Sequence, residues 1–112
     1  DLKGRALMPL IDAARISSLS KGIKNTANTI SRYAKLAELE PQNAPIYEAC
    51  GDAFAELLKF RTEEGLKNET DGRYLNLSEL SKLDKVKLKN DFQPINDIQE
   101  VIKNKFQLTY FT

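Results

Sequence analysis

The chain has 112 residues, of which 41% are hydrophobic and 29% charged, and its 17 basic and 16 acidic side chains leave a net charge of +1. This length fits one domain with one core, and the composition is that of a folded protein rather than a disordered segment. The near-neutral balance argues against a dedicated nucleic-acid binder, which needs a basic face, and a chain with no histidine and one cysteine cannot build Ser-His-Asp or Cys-His catalysis or a histidine- or thiolate-based zinc site.

The first residues, Asp1-Leu2-Lys3-Gly4-Arg5, carry no signal-peptide pattern and no initiating methionine. A fragment of a longer protein is therefore expected. No apolar run approaches the roughly 20 residues of a membrane span. A lone cysteine, Cys50, fits a reducing, cytoplasmic setting. Its small, apolar neighbours Ala49, Ala53 and Phe54 point to a core thiol rather than a reactive one.

A first helix is predicted from about Leu2 to Leu19, with Leu7, Leu10, Ile11, Ala14 and Leu19 at helical spacing and Met8 and Ile16 widening the stripe. So wide a face predicts burial on more than one side. Pro9 marks a first turn or a kink, and Lys21-Gly22 is a C-terminal stop. Thr29 is placed to cap a shorter second helix containing Ile30, Tyr33, Ala34, Leu36 and Ala37, which Glu40-Pro41-Gln42-Asn43 ends. A third helix follows from Pro45 to about Lys67, with Ile46, Ala49, Cys50, Ala53, Phe54, Leu57, Leu58 and Phe60 toward the core. Gly51 within it suggests a close helix crossing.

Asn68 to Gly72 reads as the clearest loop, and Tyr74 to Leu77 as a short extended piece. The last helix is the longest. Ser81 caps it, with Asp84 three residues on, and Leu83, Leu88, Phe92, Ile95, Ile98, Ile102 and Phe106 recur along it. Pro94 should bend this helix without splitting it, because the periodicity continues. The four tyrosines, Tyr33, Tyr47, Tyr74 and Tyr110, read as half-buried packing residues.

Four polar residues fall on apolar stripes. Asp12 lies one turn from Met8 and Ile16, Arg15 one turn from Ile11 and Leu19, Arg61 one turn beyond Leu57, and Gln99 between Ile95 and Ile102. Burying an unpaired charge costs several kcal/mol, so Asp12 is expected to pair with one or both arginines. Two readings stay open. One is a polar network tying helices together. The other is a pocket in which Arg15 and Arg61 hold a carboxylate or phosphate, whose geometry suits guanidinium forks. Asp84, Asp91, Asp97 and Glu100 alternate with lysines along the last helix and read as a solvated face rather than a metal site.

Several stretches together resemble a known family. They are Asp1-Leu2-Lys3, Pro9 to Arg15, Thr29 with Arg32, Phe54 to Arg61, Gly72 to Asn76, Leu80 to Leu83, and Leu88-Lys89 with Phe92, Gln99 and Phe106. The resemblance is to the nucleotidyltransferase substrate-binding domain of bacterial signalling proteins, and it covers nearly the whole chain. In that family the domain follows a nucleotidyltransferase-like domain, often with cyclic-nucleotide-binding or CBS modules upstream. The resemblance implies an all-α, antiparallel four- to five-helix bundle that closes one side of a substrate cleft. It places Asp12, Arg15, Arg61, Asn76 and Gln99 at recurrent polar positions, as substrate-binding candidates. Family members often carry a His-Gln pair soon after the position of Arg61, where this chain has Glu64-Gly65.

Nucleotidyl transfer needs metal-holding carboxylates and a phosphate-binding loop, and no such pattern is visible in residues 1–112. The expectation is one helical domain that is not an enzyme by itself and carries no cofactor of its own. Its expected partner is the upstream nucleotidyltransferase-like domain of the same chain, with no nucleic acid and no membrane. The alternative is a structural or regulatory bundle that forms a homodimer.

Overall fold

A computed structural model of the protein describes residues 2–24, 28–68 and 80–111. Residues Lys3–Leu7 wind as a π-helical turn that runs directly into α1, Met8–Ser20. Pro9 sits in the first turn of α1. A proline ring clashes with the carbonyl four residues back, and the wider π-turn upstream relieves that crowding.

α1 stops where Lys21-Gly22 suggests. Gly22 takes a φ of 68°, Ile23 N–H donates to the Ser18 carbonyl at 3.0 Å, and Gly22 N–H donates to Leu19 at 3.2 Å. These two bonds form a Schellman motif, which needs a left-handed residue after the cap. A Cβ at Gly22 would meet nothing within 4 Å, so only the backbone strain opposes a side chain there. Replacing Gly22 by alanine should therefore cost about 1 kcal/mol. Urea unfolding checks this, and an unchanged midpoint would contradict it.

α2 spans Thr29–Leu39. Its cap is Asn28, one residue before the expected Thr29: the Asn28 side chain accepts from Ser31 N–H at 2.8 Å. Thr29 instead turns inward and is buried. A single 3₁₀ turn, Pro41–Asn43, connects to α3, Ala44–Asn68. α4 runs from Lys82 to Phe111, continuous through Pro94. Ser81 caps it as expected, its hydroxyl accepting from Asp84 N–H at 3.1 Å.

The architecture is all-α, with no strand among the described residues. α1 packs on α2 and α4, and α3 packs on α2 and α4, so the four helices close a ring around one core. α3 and α4 are antiparallel: Tyr47 meets Lys105, Cys50 meets Pro94, and Phe60 shares a cleft with Asp84. α2 and α3 are antiparallel too, with Glu40 at Tyr47 and Tyr33 beside Gly51. A Cβ on Gly51 would stand 3.6 Å from Tyr33 Cβ, ordinary contact, so the crossing does not require a glycine.

Leu7, Leu10, Leu36, Leu57 and Ile98 fill the centre, and Tyr33 and Tyr47 lie fully buried among them. Tyr33 and Tyr47 are thus core residues rather than half-buried ones. Each keeps its hydroxyl satisfied: Tyr33 donates to the Leu10 carbonyl, and Tyr47 donates to Glu40 at 2.7 Å. Cys50 is buried, and desolvation pushes its thiol up to about 12, so it does not ionise near neutrality. Ile16, Leu19, Leu58 and Leu83, all expected on core-facing lines, are instead exposed. Residues 69–79, with the expected loop and extended piece, lie outside the described residues.

Candidate functional site

The buried face of α1 is Leu10, Ala13, Ala14, Ser17 and Ser18. Small side chains let α1 approach its neighbours closely, and that choice rotates the Asp12 and Arg15 line outward. Both residues are exposed and they form no ion pair with each other. Nor does Asp12 pair with Arg61. The expected buried Asp12–arginine pairing is thus not formed, because solvent removes the cost that called for it. Arg61 is half-buried on α3 and already has an interaction partner. Gln99 is exposed on α4, and Asn76 lies outside the described residues.

Arg15 lies instead in a pocket of about 410 Å³ where the end of α1 meets the start of α2. Its walls are Arg15, Ser18, Leu19, Ile23, Lys24 and Arg32, with three cations and no acidic side chain among them. The Schellman turn at Gly22 reverses the chain and brings Ile23 and Lys24 back over Ser18 and Leu19. Arg32 arrives from the first turns of α2, whose start Asn28 fixes. None of these three cations forms an ion pair among the described residues. Ser18 is only 3% exposed, and its hydroxyl has no hydrogen-bond partner. Burying such a group unpaired is unfavourable.

A second cleft of about 360 Å³ opens between α3 and α4, lined in part by Asp52, Glu56, Lys59, Glu63, Asp84 and Lys87. Beside it, Glu56 and Asp91 each bury one carboxylate oxygen without a partner. Burial and then the facing Glu56 push the Asp91 carboxyl up to about 7. Burial and the facing carboxylate thus favour the protonated form of Asp91.

The most deeply buried charged side chain among the described residues is Glu40, at 2% exposure. It ends α2, where the residue before Pro41 leaves the helical conformation. Lys21 reaches it at 2.9 Å, Asn43 donates at 3.1 Å, Tyr47 donates at 2.7 Å, and Lys105 of α4 closes on the same carboxylate. Burial by itself would raise its carboxyl. Hydrogen bonds from Lys105, Tyr47, Lys21 and Asn43 prevail and hold it down near 2. Glu40 thus fastens the ends of α1 and α2 to α3 and α4 at one end of the bundle.

Sequence reasoning missed Ser18 and Lys24 as site members and Glu40 as a core residue. Arg15, Ser18 and Leu19 stand three and four apart on one helix face, a legible signal. The reversal that adds Lys24 required the folded turn.

A family model described as "Putative nucleotidyltransferase substrate binding domain" matches residues 1–106. Searches of curated proteins and of solved structures returned no match.

Proposed function

The chain belongs to this nucleotidyltransferase substrate-binding family, and from that membership we propose that it binds and positions the substrate of a neighbouring nucleotidyltransferase-like domain. The family match across residues 1–106 is the observation that carries the reading. Metal-held phosphoryl chemistry belongs, on this reading, to the neighbour. The bundle supplies a rigid wall and polar side chains at its surface. Arg15 is the strongest of the sequence-derived site candidates, because it lines a pocket and is not consumed by an internal ion pair. Arg61, Gln99 and Asn76 are candidates for the face that meets the neighbouring domain or its substrate. The setting we propose is a cytoplasmic bacterial signalling protein; among the described residues no helix is long and apolar enough to cross a membrane.

Two measurements test this. The isolated chain should release no pyrophosphate from any of the four common ribonucleoside triphosphates with magnesium. In the intact parent, removing this domain should raise KM for the acceptor substrate at least tenfold, and change KM for the nucleoside triphosphate much less. Pyrophosphate release that follows the pure chain would overturn the division of labour. An unchanged acceptor KM would overturn the substrate-binding role.

A further inference from the structure

We propose that the pocket between α1 and α2 is an anion site for the phosphate group of a small phosphorylated molecule, held by Arg15, Lys24, Arg32 and the Ser18 hydroxyl. The proposal rests on the reading of the domain as a binding module and deepens it by naming a ligand chemistry and a place.

Three observations converge. First, three cations surround one cavity, and no acidic side chain among its walls neutralises them. In a chain with nearly equal numbers of acids and bases, a cavity whose charged walls are all basic is a departure from the average surface. Elsewhere on the molecule lysines do find carboxylates: Lys21 and Lys105 meet Glu40, Lys35 meets Glu38, and Lys59 meets Glu63. Arg15, Lys24 and Arg32 do not, among the described residues.

Second, Ser18 contributes a buried hydroxyl with no partner in the same cavity wall. A helical serine usually returns its proton to a carbonyl of the preceding turn. The Ser18 hydroxyl makes no such bond. Turned by one rotamer toward the cavity, it finds an acceptor in a phosphate oxygen.

Third, the chemistry of the cations selects the ligand. Two guanidinium groups present forked donors that match the oxygens of phosphate, and Lys24 adds a point charge. Leu19 and Ile23 give the same cavity an apolar side. A volume of about 410 Å³ exceeds what one phosphate fills and leaves room for a sugar-sized body. Together these favour a phosphate ester over inorganic phosphate alone.

The test is a titration of this chain, ¹⁵N-labelled, with ribose 5-phosphate, inorganic phosphate, citrate and uncharged ribose, followed by amide shifts. Ribose 5-phosphate should move the resonances of Arg15, Ser18, Ile23, Lys24 and Arg32, bind more tightly than inorganic phosphate or citrate, and weaken as salt is raised. Ribose should move none of them. The double variant R15Q/R32Q should bind ribose 5-phosphate at least tenfold more weakly, and its spectrum reports directly whether it stays folded. Lys87→Gln, in the other cleft, should bind as the parent chain does.

Equal shifts from ribose and its phosphate, or equal affinity in R15Q/R32Q, would overturn the site. Citrate binding tighter than the phosphate ester would overturn the ligand class. The parent's KM separates this proposal from the broader reading. Phosphate binding lost in R15Q/R32Q with acceptor KM unchanged keeps the anion site and removes its role in substrate binding. A KM that depends on the domain, with no phosphate binding at this pocket, removes the anion site and leaves the substrate-binding reading standing.

Discussion

Replacing Glu40 by alanine should destabilise the chain by about 3 kcal/mol. The substitution strips a buried hydroxyl, that of Tyr47, of its acceptor, and leaves Lys21 and Lys105 without their shared anion. Both lysines are more than a third exposed and can turn to water, which keeps the loss at the low end of what breaking a buried pair costs. Glu40→Gln keeps an acceptor for Tyr47 and should lose about half as much. The same contacts set an acid limit. The carboxyl of Glu40 lies near 2 in the folded chain against an ordinary 4.5. Its depressed value means that its stabilisation is present above about pH 4.5 and lost as pH falls toward 2. Urea unfolding between pH 2 and 6 measures it, and the alanine variant should show a shallower acid loss than the parent chain. Equal acid slopes would contradict the assignment.

Asp91→Asn should act in the opposite direction, raising stability by about 2 kcal/mol at pH 8. Folded Asp91 holds its proton up to about pH 7 against an ordinary 3.8, chiefly through burial and then through Glu56. A raised carboxyl stabilises the fold below its ordinary value, and that contribution is lost as pH rises through about 7. The asparagine amide replaces the missing proton with a permanent donor for Glu56, whose Oε1 is otherwise buried without a partner. The parent chain should therefore be most stable near pH 4 to 5, between the Glu40 and Asp91 transitions. In the variant, stability should stay level from pH 5 to 8. Thermal unfolding across that range decides it, and a variant that still loses stability on the alkaline side would contradict the raised Asp91 carboxyl as its source.

The helices were legible because their stops are chemically explicit. Lys21-Gly22, Glu40-Pro41 and Ser81 each end or begin a helix by a mechanism written in adjacent residues. The facing of α1 was harder to read. Met8, Ile11, Ile16 and Leu19 make Asp12 look enclosed, yet the neighbouring helices chose the smaller Ala13, Ala14 and Ser17, which permit closer approach. Hydrophobicity marked Leu7, Leu10 and Ala14 rightly but widened the stripe onto Ile16 and Leu19, because close packing there is set by size. Glu40 was read only as part of a helix stop, since its burial depends on lysines 19 residues before and 65 after it. Arg15 was singled out, but its companions were sought on α3, where Arg61 lies. Lys24 and Arg32 stand nearer in sequence, and the turn between α1 and α2 gathers them.

The placement of the Glu40 cluster makes the pair α3 and α4 resemble tongs. Tyr47 and Lys105 are riveted through Glu40 at one end, whereas Glu56 and Asp91 repel one another further along whenever their proton is lost. The open cleft starts in the wall that holds Glu56 and runs on to Phe60 and Asp84. Phe60 is about 20 Å along the helix from Tyr47, at 1.5 Å per residue. A push at the cleft end therefore works with a long lever arm against the apolar packing of Phe60 and Leu88, while the same push at the rivet must break several charged hydrogen bonds at once. Whatever grips this bundle, the jaw it can move is the one around Phe60 and Asp84.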